Sequence, residues 1–278
     1  MTRKKLRKIC SKIEIHTLLI IASIIMLLPF IWMVTTSFKD EADIFVTPPK
    51  FVGIRYSVDN YVWLFNRMPF FKYMLNTGKV TVLVVIFQLF TSSMGGYAFA
   101  RFRFKGREGL FMVYLAAMMV PAFVTLVPSF IIFRTLNLYD THWPLILPGV
   151  TSAFGTFLMR QFFAGIPKEL EEAAWVDGCN PLRILTQIFM PLSKPALTTL
   201  GIFIFNGVWN DYLAPLIYVV SPSKMTLTVA ISALQTTYAT NWGLLMAGLT
   251  ISILPVLIAF LCAQDMFVKG IALTGIKA

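Results

Sequence analysis

Residues 18–34 contain no charged side chain, and that run fixes the solvent this chain must fold in. About 20 apolar residues cross the hydrocarbon of a bilayer as a helix, the one open-ended structure that pairs every backbone N–H and C=O internally. By this criterion six spans are expected, at about 15–36, 77–100, 109–133, 143–163, 196–220 and 242–267. Composition agrees, since 57% of the residues are hydrophobic and only 13% charged, where a soluble domain is near a quarter charged. The expected fold is all-α, a polytopic membrane protein with six transmembrane helices. Pro144, Pro148, Asn206, Asn210, Asp211 and Pro215 interrupt the fourth and fifth spans. The basic N-terminus before an apolar run imitates a signal peptide. The run is long for one and no small-residue cleavage site follows, so an uncleaved first span is expected.

The formal net charge of +11 could suggest nucleic acid, but its placement argues for topology. Arg3, Lys4, Lys5, Arg7, Lys8 and Lys12 precede the first span. Arg101, Arg103, Lys105 and Arg107 follow the second. Arg160, Lys168, Arg183 and Lys194 lie in or beside the segment after the fourth, and Lys269 and Lys277 close the chain. These are sixteen of the 24 basic residues, and they fall in alternate connections. The positive-inside rule puts both termini and the loop at 166–195 in the cytoplasm. The domain reading is a basic N-terminus at 1–14, a six-span domain at 15–267 that includes the loop, and a cytoplasmic tail at 268–278. No nucleic-acid partner is required.

The loop is a polar, helix-forming island, PKELEEAAWVDGCNPLRILTQIFMP, beginning at Pro167. Pro167 suits a first helical position, with Glu169, Glu171 and Glu172 in the turn where the helix dipole favours acid. Gly178 fits the left-handed position that ends a helix. Asn180-Pro181 reads as an N-cap followed by a first helical residue. A second helix then runs to Pro191, which is expected to stop it. Two short helices on a tight turn make a docking shape. A DNA-binding helix-turn-helix is disfavoured, because three basic residues face four acidic ones over 166–195.

This segment resembles the EAA loop of binding-protein-dependent ABC importer permeases. That pattern is Glu-Ala-Ala, three residues, Gly, nine residues, Ile, any residue, Leu, Pro. Glu172, Ala173, Ala174, Gly178, Ile188 and Pro191 match it, and Met190 replaces the usual Leu, a volume-conserving exchange. The resemblance to carbohydrate, maltose-type permeases extends to TSFK at 36–39, GYAFARFRFKGR at 96–107, WNDYLAPLIY at 209–218 and the tail at 267–278. It implies one transmembrane subunit of a sugar importer, working by alternating access. The implied partners are a cytosolic ATPase dimer, a second and different permease, an extracytoplasmic solute-binding protein, the sugar and the lipid. ATP and Mg would bind the ATPase, with no cofactor in this chain. The implied coupling residues are Glu172, Ala173, Ala174, Asp177, Gly178, Ile188 and Pro191. The implied location is a bacterial or archaeal inner membrane.

In the fifth span, Asn206, Trp209, Asn210 and Asp211 are the candidates for lining the solute path, since polar residues within a span mark functional sites. At helical spacing Asn206 and Asn210 share a face. The competing reading is helix packing or a cap on a break before Pro215. Tyr61, Trp63, Phe65, Phe70, Phe71 and Tyr73 suit a segment at the membrane interface. No Walker A pattern is present, so ATP hydrolysis is not expected here. His16 and His142 are too far apart in sequence to suggest a metal site. Cys10, Cys179 and Cys262 do not make a disulfide framework. The alternative is an autonomous secondary transporter or channel, for which Asp211 and Asp265 are the acidic candidates.

Overall fold

The computed structural model describes residues 3–48, 50, 51, 53, 55–235 and 240–275, with side chains between 12 and 266. The basic run before Lys12, Cys10 and the tail from Phe267 therefore lie outside the described side chains. Among the described residues the regular structure is helical, with one isolated antiparallel bridge between Gln235 and Thr240. Three helices are long and apolar enough to cross a membrane, or up to five spans if each of two bent pairs counts as one. The chain divides into two compact units, residues 1–69 with 231–252, and residues 70–230 with 253–278.

The first unit is built on α1 (Arg3–Ser37) and α2 (Asp59–Arg67). Leu18, Ile20, Ile25 and Met26 on α1 are more than half exposed, as expected of side chains whose solvent is lipid. The connection after α1 is pinned by polar contacts. Asn60 Nδ2 donates to the carbonyls of Ser37 and Lys39 at 3.0 and 3.1 Å, and Ser37 Oγ lies 2.7 Å from Tyr61 Oη. Lys39 is fully buried; its Nζ donates to Lys50 O at 2.5 Å and sits 4.5 Å from the Trp32 ring centroid. Burial pushes the Lys39 pKa down, and the Asp43 carboxylate partly offsets this.

The second unit is organised by α3 (Phe70–Arg101), 32 residues long and so about 48 Å. Next come α4 (Arg107–Ala116) and α5 (Ala122–Thr135). With its short 3₁₀ extension, α4 meets α5 at 94°. The expected third span is therefore not straight. Pro121 drives Val120 out of helical geometry, to φ −79°, ψ 116°. Pro128 lies inside α5 without breaking it. The expected fourth span is not one helix either. Trp143–Ile146 and a 3₁₀ turn carry Pro144 and Pro148, and Ser152 then caps α6 (Ala153–Ala164) by accepting from Gly155 N at 3.1 Å.

After α6 come α7 (Lys168–Val176), α8 (Pro181–Leu192), α9 (Lys194–Trp209) and α10 (Leu213–Tyr218). The fifth span is thus broken at Asn210–Tyr212, and α8 meets α9 at 85°. The last long helix, α11 (Trp242–Gly275), retains Pro255 within it. The core of the second unit collects Val84 of α3, Met159 and Phe163 of α6, Ile184, Leu185 and Phe189 of α8, and Ala196 and Leu200 of α9. Lipid supplies no hydrophobic drive for helices to associate, so close backbone approach at small residues matters more. A Cβ on Gly96 of α3 would stand 2.6 Å from Met159 Cβ and 2.8 Å from Arg160 N.

Candidate functional site

The hairpin of α7 and α8 is held by local chemistry. Pro167 is extended, at φ −55°, ψ 139°, and precedes Lys168 as the cap, so it stands one residue outside the expected first helical position. At the other end Gly178 N donates to Trp175 O at 3.0 Å and Cys179 N to Ala174 O at 2.9 Å. This paired pattern, with Gly178 at φ +75°, is a Schellman cap. Asn180 Oδ1 then accepts from Arg183 N at 2.8 Å, with Pro181 in the first helical position.

α8 ends at Leu192, one residue past Pro191 and close to the expected stop. The helix widens into a π-turn at Leu185–Phe189, where Met190 N donates to Leu185 O, and it continues to Leu192. A proline offers no N–H to the preceding turn, and a π-turn is one way a helix absorbs an irregular ladder. Ser193 N closes the end, donating to Phe189 O at 3.0 Å.

Burial sorts the coupling candidates. Glu172, Ala173, Asp177, Gly178 and Pro191 are exposed. Ala174 is only 5% exposed, and Ile188 is half-buried against the core. Beside the exposed polar residues stand Val176, 89% exposed, and Trp175 and Leu182, about half exposed. The tip is therefore an apolar surface rimmed by acid.

Sequence reasoning missed the carboxylate that faces inward. Glu171 accepts from Tyr97 Oη at 2.8 Å and lies 3.6 Å from Arg101 Nε, with both charged side chains mostly buried. Arg101 also donates to the carbonyls of Phe163, at 2.8 Å, and Ile166. The i, i+4 spacing of Tyr97 and Arg101, one face of a helix within GYAFARFRFKGR, was the available signal. A second tie joins α4 to α6: Arg160 donates to both Glu108 oxygens at 2.9 and 2.8 Å, over the Phe111 ring.

The structure does not bring the four path candidates into one cluster. Trp209 is buried and stacks on Phe205 at 5.6 Å. Asn210 ends α9, and its Nδ2 donates to Asn206 O and Oδ1, both at 2.9 Å. Asn206 and Asn210 share an exposed face with Phe203 and Gly207. Asp211 receives a long contact from Ala214 N at 3.4 Å, while Thr228 donates to its carbonyl at 2.6 Å. It also lines a cavity of about 460 Å³ with Phe123, Thr125, Ser129, Leu145 and Tyr218. Its lining comes from α5, from the turn carrying Pro144 and Pro148, and from both sides of the α9–α10 break. Of the four candidates Asp211 alone lines it.

Long and broken apolar helices beside a cavity, carrying a compact helical hairpin, are the frame of an integral membrane protein. The chain belongs to the family of binding-protein-dependent transport system inner membrane components, whose model matches residues 89–273. It is therefore a multi-pass inner-membrane permease subunit of the ABC importer class; the ATPase is not this family's role. It is 34% identical to the inner membrane ABC transporter permease protein YcjP of Escherichia coli, covering 98% of each chain. It is 37% identical to the arabinooligosaccharides transport system permease protein AraQ of Bacillus subtilis, over 80% of this chain and 79% of the relative. A solved bacterial ABC transporter involved in the import of the acidic polysaccharide alginate contains a chain that superposes with a TM-score of 0.80, at 27% identity. That match covers 96% of this chain and 99% of the other. The alternative of an autonomous secondary transporter or channel is not favoured. Among the described residues no group of three or more His, Cys, Asp or Glu is placed to hold a metal.

Proposed function

We propose that this chain is a permease subunit of an ATP-driven sugar or oligosaccharide importer. It crosses the membrane six times, keeps both termini and the hairpin in the cytoplasm, and forms half of an alternating-access path opposite a second, different permease. The observation that carries this reading is the capped hairpin, whose exposed tip presents Glu172, Ala173, Val176 and Asp177. An apolar tip rimmed by acid suits a groove in a partner protein better than water. The sugar assignment is supported by the arabinooligosaccharide and alginate names of the relatives. An extracytoplasmic binding protein delivers the solute.

ATP and Mg bind the cytosolic ATPase dimer, and closure of that dimer moves the hairpin. Rigid elements with a docked end act as levers between two discrete packings. Glu172 meets a basic group of the ATPase, Ala173 allows close approach, and Gly178 sets the angle between α7 and α8. Ala174 and Ile188 fit the hairpin to the rest of the chain, and Pro191 marks its end. In a background with Cys10, Cys179 and Cys262 replaced by Ser, single cysteines at Trp175 or Val176 are expected to react only from the cytoplasmic face and to crosslink to the ATPase. Labelling from outside intact cells would sink both topology and coupling.

The path reading is carried by the cavity beside Asp211 and the polar face of Asn206 and Asn210. Asn210→Leu is expected to lower uptake about tenfold, or to change sugar preference, with the complex still assembled; losing a hydrogen-bonding group from a polar site has effects of this order or larger. Loss of assembly would instead assign Asn206 and Asn210 to helix packing.

A further inference from the structure

We infer that Glu171, held by Tyr97 and Arg101, is the positioning residue that passes hairpin movement to α3. The inference rests on the hairpin being the ATPase contact, but it concerns a different residue from the exposed Glu172. The chain itself joins the hairpin to α6 on one side and α9 on the other. No covalent path leads from it directly to α3, the longest helix of the second unit and the centre of its packing. The Glu171 carboxylate supplies a hydrogen-bonded, charged tie to α3 instead, across 74 residues of sequence.

The geometry concentrates four elements on one guanidinium. Arg101 ends α3, and its Nη2 donates to the carbonyls of Phe163 and Ile166, at and just beyond the C-terminus of α6. A cation is favoured at such a terminus. Its guanidinium carbon lies 4.9 Å from the Phe189 ring centroid, in the π-turn of α8. Its buried Nε makes no hydrogen bond and faces Glu171 Oε2 of α7 at 3.6 Å. Tyr97, one turn earlier on α3 and 3% exposed, donates to the other Glu171 oxygen, and its ring packs edge-on to Phe189 at 4.9 Å. A buried carboxylate with two partners on one helix cannot leave them without exposing an unpaired charge. Hairpin and α3 therefore move as one body, or the network breaks.

The test uses the intact complex purified with its own ATPase and reconstituted in nanodiscs. A cysteine at Val82, an exposed position on α3, carries a fluorescent label. ATP with vanadate is the probe, so the transported sugar need not be known. Wild type is expected to show a fluorescence shift. Glu171→Gln and Tyr97→Phe, both near-isosteric, are each expected to shrink it about tenfold, the range of an ordinary coupling between sites. ATP hydrolysis and a Val176 cysteine crosslink to the ATPase are expected to persist in both. The double variant is expected to be no worse than either single one, because the residues act as a unit. A wild-type shift retained in both variants overturns the inference, as does failure of both to assemble, which would leave the network a folding role. Absence of the Val176 crosslink in wild type would overturn the docking reading instead.

Discussion

Gly178→Val is expected to leave insertion normal and to reduce ATP-driven uptake by at least an order of magnitude. Gly178 sits at φ +75° with open space where a Cβ would be. The penalty is thus in the backbone and not in a clash within the chain. A side chain in the left-handed region costs about 1–2 kcal/mol, and a β-branched one lies at the upper end. About 2 kcal/mol is a roughly thirtyfold change in the population of the native turn. The Schellman bonds of Gly178 and Cys179 then open, and the angle between α7 and α8 is lost. Gly178→Asn separates this from obstruction of the ATPase. Asparagine is of similar bulk but tolerates the left-handed region, so it is expected to keep most of the uptake. Equal loss with Asn and Val would place the problem in the docking surface, and normal uptake with Val would remove the turn from the mechanism.

Gly96→Val is expected to do something different: to prevent the second unit from packing. A Cβ at Gly96 would meet Met159 Cβ at 2.6 Å, Arg160 N at 2.8 Å and the Met159 carbonyl carbon at 3.0 Å. These atoms belong to backbone or to the base of a side chain, so no rotamer change relieves them. The helices must separate, and α3 and α6 share the core around Val84, Met159 and Phe163. Overpacking of a tight contact usually costs about 1–3 kcal/mol and more where backbone must move. With two further branches on the added carbon, we expect about 4 kcal/mol or more, a size that point substitutions rarely reach. The measurement is thermal aggregation of the detergent-solubilised complex, with the yield of assembled ATPase as a second reading. Gly109→Val is the control, because a Cβ there meets nothing within 4 Å. Similar behaviour of the two variants would remove close helix approach as the reason for Gly96.

The contrast between these sites shows what kind of information a sequence carries. The Gly178 turn was readable because its cause is local. A helix end needs a left-handed residue, and Asn180-Pro181 starts the next helix from its own side chain and ring. Apolar runs are local too, since the bilayer judges each segment by itself, yet of the six expected spans only three are single long apolar helices among the described residues. The effect of a proline depends on its surroundings. Pro121 breaks its helix and Pro191 stands one residue before the end of α8, whereas Pro128 and Pro255 leave theirs unbroken. A proline removes one N–H everywhere, but what surrounds the freed carbonyl decides whether the helix ends there.

Adjacent residues in the hairpin make the same point at side-chain scale. Ala173 and Ala174 are identical in the sequence, yet one is exposed and the other buried. Glu172 stands at the motif position, but its neighbour Glu171 is the one the fold encloses. About 100° of helix rotation separates neighbours. Which of them faces inward depends on Tyr97 and Arg101, which arrive from a helix far earlier in the chain. Likewise Asn206, Trp209, Asn210 and Asp211 form one polar cluster on paper. In the structure Trp209 is buried against Phe205, Asp211 beyond the break lines the cavity, and the two asparagines are bonded to each other. The sequence by itself determined the membrane class, the positions of the apolar segments, the hairpin turn and the family, because each is written in a contiguous run. Only the tertiary structure decided which carboxylate is buried, which prolines bend the chain and which residues line the cavity. Those outcomes depend on contacts between distant segments whose geometry no local pattern encodes.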